Sequence, residues 1–152
     1  MAEMAKMSDC LIDKRTRLQF CAFDAENGVF FQGGFFIQGE FIPNPVFAVD
    51  CQTWGIAVLG PDWVDRHFGD GTAYRVWQHT KERSGVYDAD GRLEGVGFTD
   101  SRDVVSVEWT AGAILCAKLL AEHYRTSRPE WSRELLAESR TMRAAMEKLK
   151  TS

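Results

Sequence analysis

The sequence has no CxxC pair, no HxxxH pair and no apolar stretch long enough to cross a bilayer. Its four cysteines, Cys10, Cys21, Cys51 and Cys116, are too scattered for a structural zinc site. Cys51 and Cys116 fall inside apolar helical patterns, where a free thiol behaves as a small hydrophobe, so a disulfide framework is not expected. His67, His79 and His123 lie on separate segments and read as surface residues. Gly33-Gly34 lacks the spacing of a dinucleotide or phosphate loop, and no GxSxG elbow occurs. No metal and no cofactor is therefore expected. Positive charge is not in excess: the net charge of −4 gives no electrostatic reason to bind nucleic acid or an anionic membrane. Residues 1–10 carry Glu3, Lys6 and Asp9 with no apolar run behind them, unlike a signal peptide. These absences together favour a reduced, cytoplasmic setting.

What remains is a chain of 152 residues, one domain by size, with 45% hydrophobic and 26% charged residues. Residues 1–43 differ in character from residues 44–152. Met4, Met7 and Leu11 share one face of an expected short helix that ends at Lys14, Arg15 and Arg17. Asn27-Gly28 between Leu18–Phe23 and Val29–Phe31 signals a β-hairpin. Gly33 to Phe41, rich in phenylalanine, reads as a long ordered loop.

From Asn44 onward the pattern is helical, giving a mainly α fold with a small β-hairpin near the N-terminus. Asn44 as N-cap, Pro45 at the first helical position and Gly60-Pro61 as the stop bound one almost wholly apolar helix. Pro61 to Phe68 follows as a short helix and Thr72 to about Arg83 as an amphipathic surface helix. Ser84 to Gly97 is turn-rich and has room for a short hairpin, with Asp88-Ala89-Asp90-Gly91 as a tight turn. Counting from Asp88 puts Leu93 and Thr99 where an EF-hand needs Gly and Glu. Asp103 is the expected N-cap of a second apolar helix, Val104 to about Tyr124, whose only early charge is Glu108. Gly112 in its middle costs about 1 kcal/mol against Ala, which points to close approach of another group. Ser127-Arg128-Pro129-Glu130 has the spacing of a capping box, and Trp131, Leu135, Met142, Met146 and Leu149 form one face of the last helix.

A helix apolar all round is expected inside the protein, so Glu108 is expected to be buried. Asp50 is placed comparably on the first apolar helix, and each acid has a tryptophan close by and a glycine ahead: Trp54 and Gly55, Trp109 and Gly112. The structural reading is that these acids accept hydrogen bonds or pair with an arginine such as Arg102, favoured near a helix start by the dipole. The functional reading is an acid–base pair, one carboxyl raised by burial and the other ionised. Asp100 precedes the Glu108 helix and is either a turn residue or a contact for substrate. The tryptophans are either core or stacking platforms for a sugar.

The segments Ala48-Val49-Asp50-Cys51-Gln52-Thr53-Trp54-Gly55 and Ser106-Val107-Glu108-Trp109-Thr110-Ala111-Gly112-Ala113 resemble the inner helices of (α/α) toroid proteins of the six-hairpin glycosidase class. The resemblance spans roughly Asn44 to Leu149 and accounts for about half of such a ring. It implies an oligosaccharide or polysaccharide bound at the inner-helix mouths, with Glu108 and Asp50 as catalytic acids. Trp54, Trp109, Gln52 and Asp100 would then bind substrate. A ring left incomplete implies a longer chain, self-association or an open array of helical hairpins. The alternative to a glycosidase is accordingly a non-catalytic helical module that binds a protein partner or its own copy.

Overall fold

Phe23 and Asp24 pair antiparallel with Phe30 and Val29, closed by a turn in which Gly28 takes φ +65°. The Asp24 carboxylate accepts from the backbone N–H of Glu26 and Asn27, which fixes that turn. This is the hairpin signalled by Asn27-Gly28, and its strands are β1 (Phe23–Asp24) and β2 (Val29–Phe30). The computed structural model describes residues 23–24, 26–38, 40–44 and 46–149. The helix expected around Met4, Met7 and Leu11 and the thiols of Cys10 and Cys21 lie outside the described residues.

The segment expected to be a phenylalanine-rich loop is a second hairpin, β3 (Gly34–Ile37) with β4 (Glu40–Pro43). Ile37 pairs with Glu40, leaving two residues for the turn, and Gln38 sits at φ +52°. The apolar runs Phe35-Phe36-Ile37 and Phe41-Ile42 do not alternate with polar residues, so between glycines they carry little strand signal.

Helix α1 (Val49–Leu59) begins four residues later than expected. Asn44 does not cap it; its side-chain oxygen accepts from Val46 N–H in a turn before the helix. Gly60 ends α1 with φ +86° and a bond to the Ile56 carbonyl, and Pro61 opens α2 (Pro61–Phe68). Next come α3 (Thr72–Ser84), β5 (Gly85–Tyr87) and β6 (Leu93–Val96), the last two a hairpin turned by Asp88. Helix α4 (Val107–His123) is capped by Ser106, which accepts from Trp109 N–H, and not by Asp103. Helix α5 (Pro129–Leu149) starts on Pro129, and the Arg128 carbonyl accepts its first bond. The protein is thus mainly α, with small two-stranded antiparallel sheets. Among the described residues no helix is long and apolar enough to cross a membrane.

The core lies where α4 packs on α5 and α1, under the first hairpin and α3. Ala113, Cys116, Ala117 and Leu120 of α4 meet Leu135 and Met142 of α5, all fully buried with Trp77. Gln52 joins the first hairpin to α1. Its amide accepts from Phe30 N–H at 2.7 Å and donates to the Phe30 carbonyl at 2.7 Å. Thr110 does the same between α4 and β6, accepting from Val96 N–H at 3.0 Å.

Candidate functional site

The two acid-bearing helices run side by side in the same direction. Val49 N–H donates to the Phe98 carbonyl at 3.1 Å, and the Phe98 ring meets Trp109 edge-on at 5.9 Å. Further along, Gly112 faces α1: a Cβ there would lie 3.1 Å from Trp54 Nε1 and 3.5 Å from Thr53 Oγ1. The close approach expected from a mid-helix glycine is therefore present, and the group that approaches is an indole.

Glu108 is not buried. Its side chain is exposed, as are Val107, Ala111, Leu115, Lys118 and Glu122, which run along one side of α4 at steps of three and four. The expectation of burial assumed neighbours on every side of an apolar helix. Here α5 and α1 cover two sides, and no described element covers the third. Among the described residues Glu108 has no hydrogen-bond or ion-pair partner. Asp50 is half-buried and accepts from Cys51 N–H at 2.9 Å. Burial, with the Asp50 charge behind it, pushes the Cys51 thiol up to about 11, so it is a poor nucleophile at neutral pH.

The other candidate residues separate. Trp54 is 56% exposed, on the outer side of α1. Trp109 is half-buried against Phe98. Gln52 is fully buried, with its amide committed to the backbone at both ends. Asp100 is exposed and held by Arg83 in a two-pronged pair of 2.8 and 2.6 Å. Arg83 also stacks 4.1 Å over Phe47 and borders an open cleft of about 460 Å³ with Asp24, Asn27, Phe30 and His79. Neither Asp50 nor Glu108 lines that cleft.

Sequence reasoning missed a polar cluster between α3 and α5. Lys81, almost fully buried, donates to Glu134 at 3.0 Å and pairs with Glu138, which also accepts from Trp77 Nε1 at 2.8 Å. Tyr74 donates to Glu134 at 2.7 Å and stacks on Trp131 at 4.0 Å. Desolvation pulls the Lys81 ammonium down, but the two carboxylates outweigh it and its pKa is raised. Burial wins at Glu138, whose pKa is raised, while the donors around Glu134 overcome its desolvation and lower it. A signal existed in the i, i+3, i+7 spacing of Tyr74, Trp77 and Lys81 and the i, i+4 pair Glu134 and Glu138. Nothing local indicates that those two faces meet. A second cluster centres on Asp65, which accepts from Tyr124 Oη at 2.6 Å and Ala73 N–H at 2.8 Å and pairs with His123 at 3.2 Å. His123 is thus partly sequestered, where a surface residue was expected.

Both clusters commit their polar groups internally and act as locks between helices. The open side of α1 and α4 is the reverse. Trp54 and Val58 on α1 and Val107 and Leu115 on α4 are each more than half exposed. Glu108 and Lys118, exposed on α4, have no ion-pair partner among the described residues. No protein-family model matches the chain, and no curated protein and no solved structure matches it either.

Proposed function

We propose that this protein is a non-catalytic helical interaction module whose working surface is the open side of α1 and α4. The supporting observation is the exposure of Trp54, Val58, Val107 and Leu115 at 56, 77, 53 and 53% on the two most apolar helices among the described residues. Apolar side chains this exposed on neighbouring helices are unfavourable in water and are retained where a partner covers them. Its side chains stand on two packed helices, so little ordering entropy opposes docking. A photoreactive amino acid at Val58 or at Leu115, in cells that make the protein, tests this. Each position should give a cross-linked adduct, and Arg143 on the outer side of α5 should give none. Absence of an adduct from both apolar positions would remove the interaction reading.

Carbohydrate binding is the second reading, favoured by the exposed Trp54 indole one helical turn after Asp50. On that reading Glu108 and Asp50, or Asp100, act on an oligosaccharide in the manner the toroid resemblance implies. It ranks lower because Glu108 is exposed and neither it nor Asp50 lines the open cleft beside Arg83. Oligosaccharide turnover by wild type and Glu108→Gln checks it: equal turnover by both excludes Glu108 from catalysis.

A further inference from the structure

We infer that the partner of the α1/α4 surface is a second copy of this chain, packed antiparallel across a two-fold axis near the level of Ala113. The inference rests on the interaction reading above and adds the identity and orientation of the partner.

The surface has two distinguishable ends, because α1 and α4 start together beside Phe98. The starting end carries Asp50 and Glu108. The far end carries Lys118, which has no ion-pair or hydrogen-bond partner among the described residues. Glu122, one turn further on, is held by Arg125 at 3.3 Å and so contributes little free charge. The open side is therefore dipolar, acidic at one end and basic at the other, over roughly 15 Å of helix.

A partner that fits must present apolar surface between a cation and an anion in the opposite order. The same surface turned through a two-fold axis meets that requirement, as an isologous interface must. Residue 113 lies midway between Glu108 and Lys118 and midway between Ala111 and Leu115. Antiparallel superposition about that level brings each acidic end onto the other copy's Lys118 and crosses Ala111 with Leu115. The small Ala111 lets the two helices approach closely at the crossing. A parallel arrangement sets acid against acid and Lys118 against Lys118, and is disfavoured.

The extent of the surface is consistent with this. Trp54, Val58, Val107, Ala111 and Leu115 together expose on the order of 400 Å². A standard interface buries about 800 Å² per partner, of which roughly half is apolar.

The test is sedimentation of the full chain from micromolar to submillimolar concentration, with circular dichroism to confirm folding of each variant. Wild type should sediment as a concentration-dependent dimer. Leu115→Glu should weaken association at least tenfold, and Glu108→Lys and Lys118→Glu should each weaken it severalfold. The double variant Glu108→Lys with Lys118→Glu should recover it. A wild-type monomer throughout overturns the second copy. A dimer that the double variant fails to recover overturns the antiparallel pairing. Cross-links from Leu115 at a mass other than twice the chain would reject self-pairing while sparing the interaction reading, and no cross-link at all rejects both.

Discussion

Gln52 shows how much one side chain settles in this fold. Its side-chain amide ties α1 to both backbone groups of Phe30, and it is fully buried. A glutamine there supplies one acceptor and two donors at once. Glutamate matches its size but has no N–H for the Phe30 and Ala48 carbonyls, and it brings a charge into the core. Gln52→Glu is expected to cost about 3 kcal/mol or more at neutral pH, measured by urea unfolding, and to recover part of that at acid pH. The recovery follows from the sign of the linkage. Burial raises the introduced carboxyl's pKa, so its penalty is absent while it is protonated and grows as pH rises through the folded-state value. A variant that unfolds with wild-type stability at pH 7 would show that the hairpin does not depend on this link. Glycines differ in a similar way. A Cβ at Gly95 would sit 2.6 Å from Thr110 Oγ1 on α4 and 2.7 Å from Val105 Cγ1 in the loop before it, whereas at Gly112 it meets an exposed indole.

At the scale of elements, α3 and α5 are held by a buried lysine between two carboxylates. Removing one partner of such a group leaves an uncompensated charge, which costs more than the pair contributes. Lys81→Met is expected to destabilise by about 3–5 kcal/mol in chemical unfolding. Replacing Lys81 and Glu138 together by Met and Leu should cost clearly less than Lys81→Met alone. The pH dependence has two limbs, and the raised pKa of Glu138 works against the acid one, because protonating it relieves its burial. Lys81 has a raised pKa in the fold, so its contribution is complete below the ordinary lysine value of 10.5 and is lost as pH climbs past it. Glu134 has a lowered pKa, so its contribution is present above the ordinary 4.5 and fades as pH falls below it. Stability that shows neither the alkaline nor the acid decline would reject this account of the cluster. The elements themselves were largely legible in the sequence. Asn27-Gly28, Gly60-Pro61 and the stripe through Leu135 and Met142 each mark structure through local chemistry. Helix starts were less legible, because Asn44, Asp103 and Ser127 are all acceptable caps and the choice of Ser106 over Asp103 depends on where β6 delivers the chain. The meeting of Lys81 with Glu134 and Glu138, more than fifty residues away, is a tertiary fact with no local mark.

At the scale of the whole molecule, Glu108 is the instructive case. Its helix is as apolar as a core helix, and the sequence pattern cannot distinguish residues covered by this chain from residues left for another molecule. Apolar surface on every side of α4 specifies neighbours on every side; α1 and α5 provide two, and among the described residues nothing covers the third. Stability should be distributed accordingly. Ala113 to Leu120 and Leu135 to Met142 form the common core of α4 and α5, so their amides should exchange with solvent only through global unfolding. The β3–β4 hairpin exposes Phe35, Ile37 and Ile42 at 68, 55 and 45%, and its strands pair chiefly with each other. An isolated two-stranded hairpin is marginal in water, so residues 34–37 and 40–43 should exchange through local opening, orders of magnitude faster. If two copies pair as inferred, a third behaviour is expected. Amides in the first turns of α4, Val107 to Ala111, should gain protection as protein concentration rises through the dimerisation range, while those of the β3–β4 hairpin should not. Hydrogen exchange read by mass spectrometry at two concentrations measures all three classes at once. Equal, concentration-independent protection of the α4 start would mean that its open side stays open in solution, and uniform protection of the hairpin and the α4–α5 core would mean that the molecule unfolds as one unit.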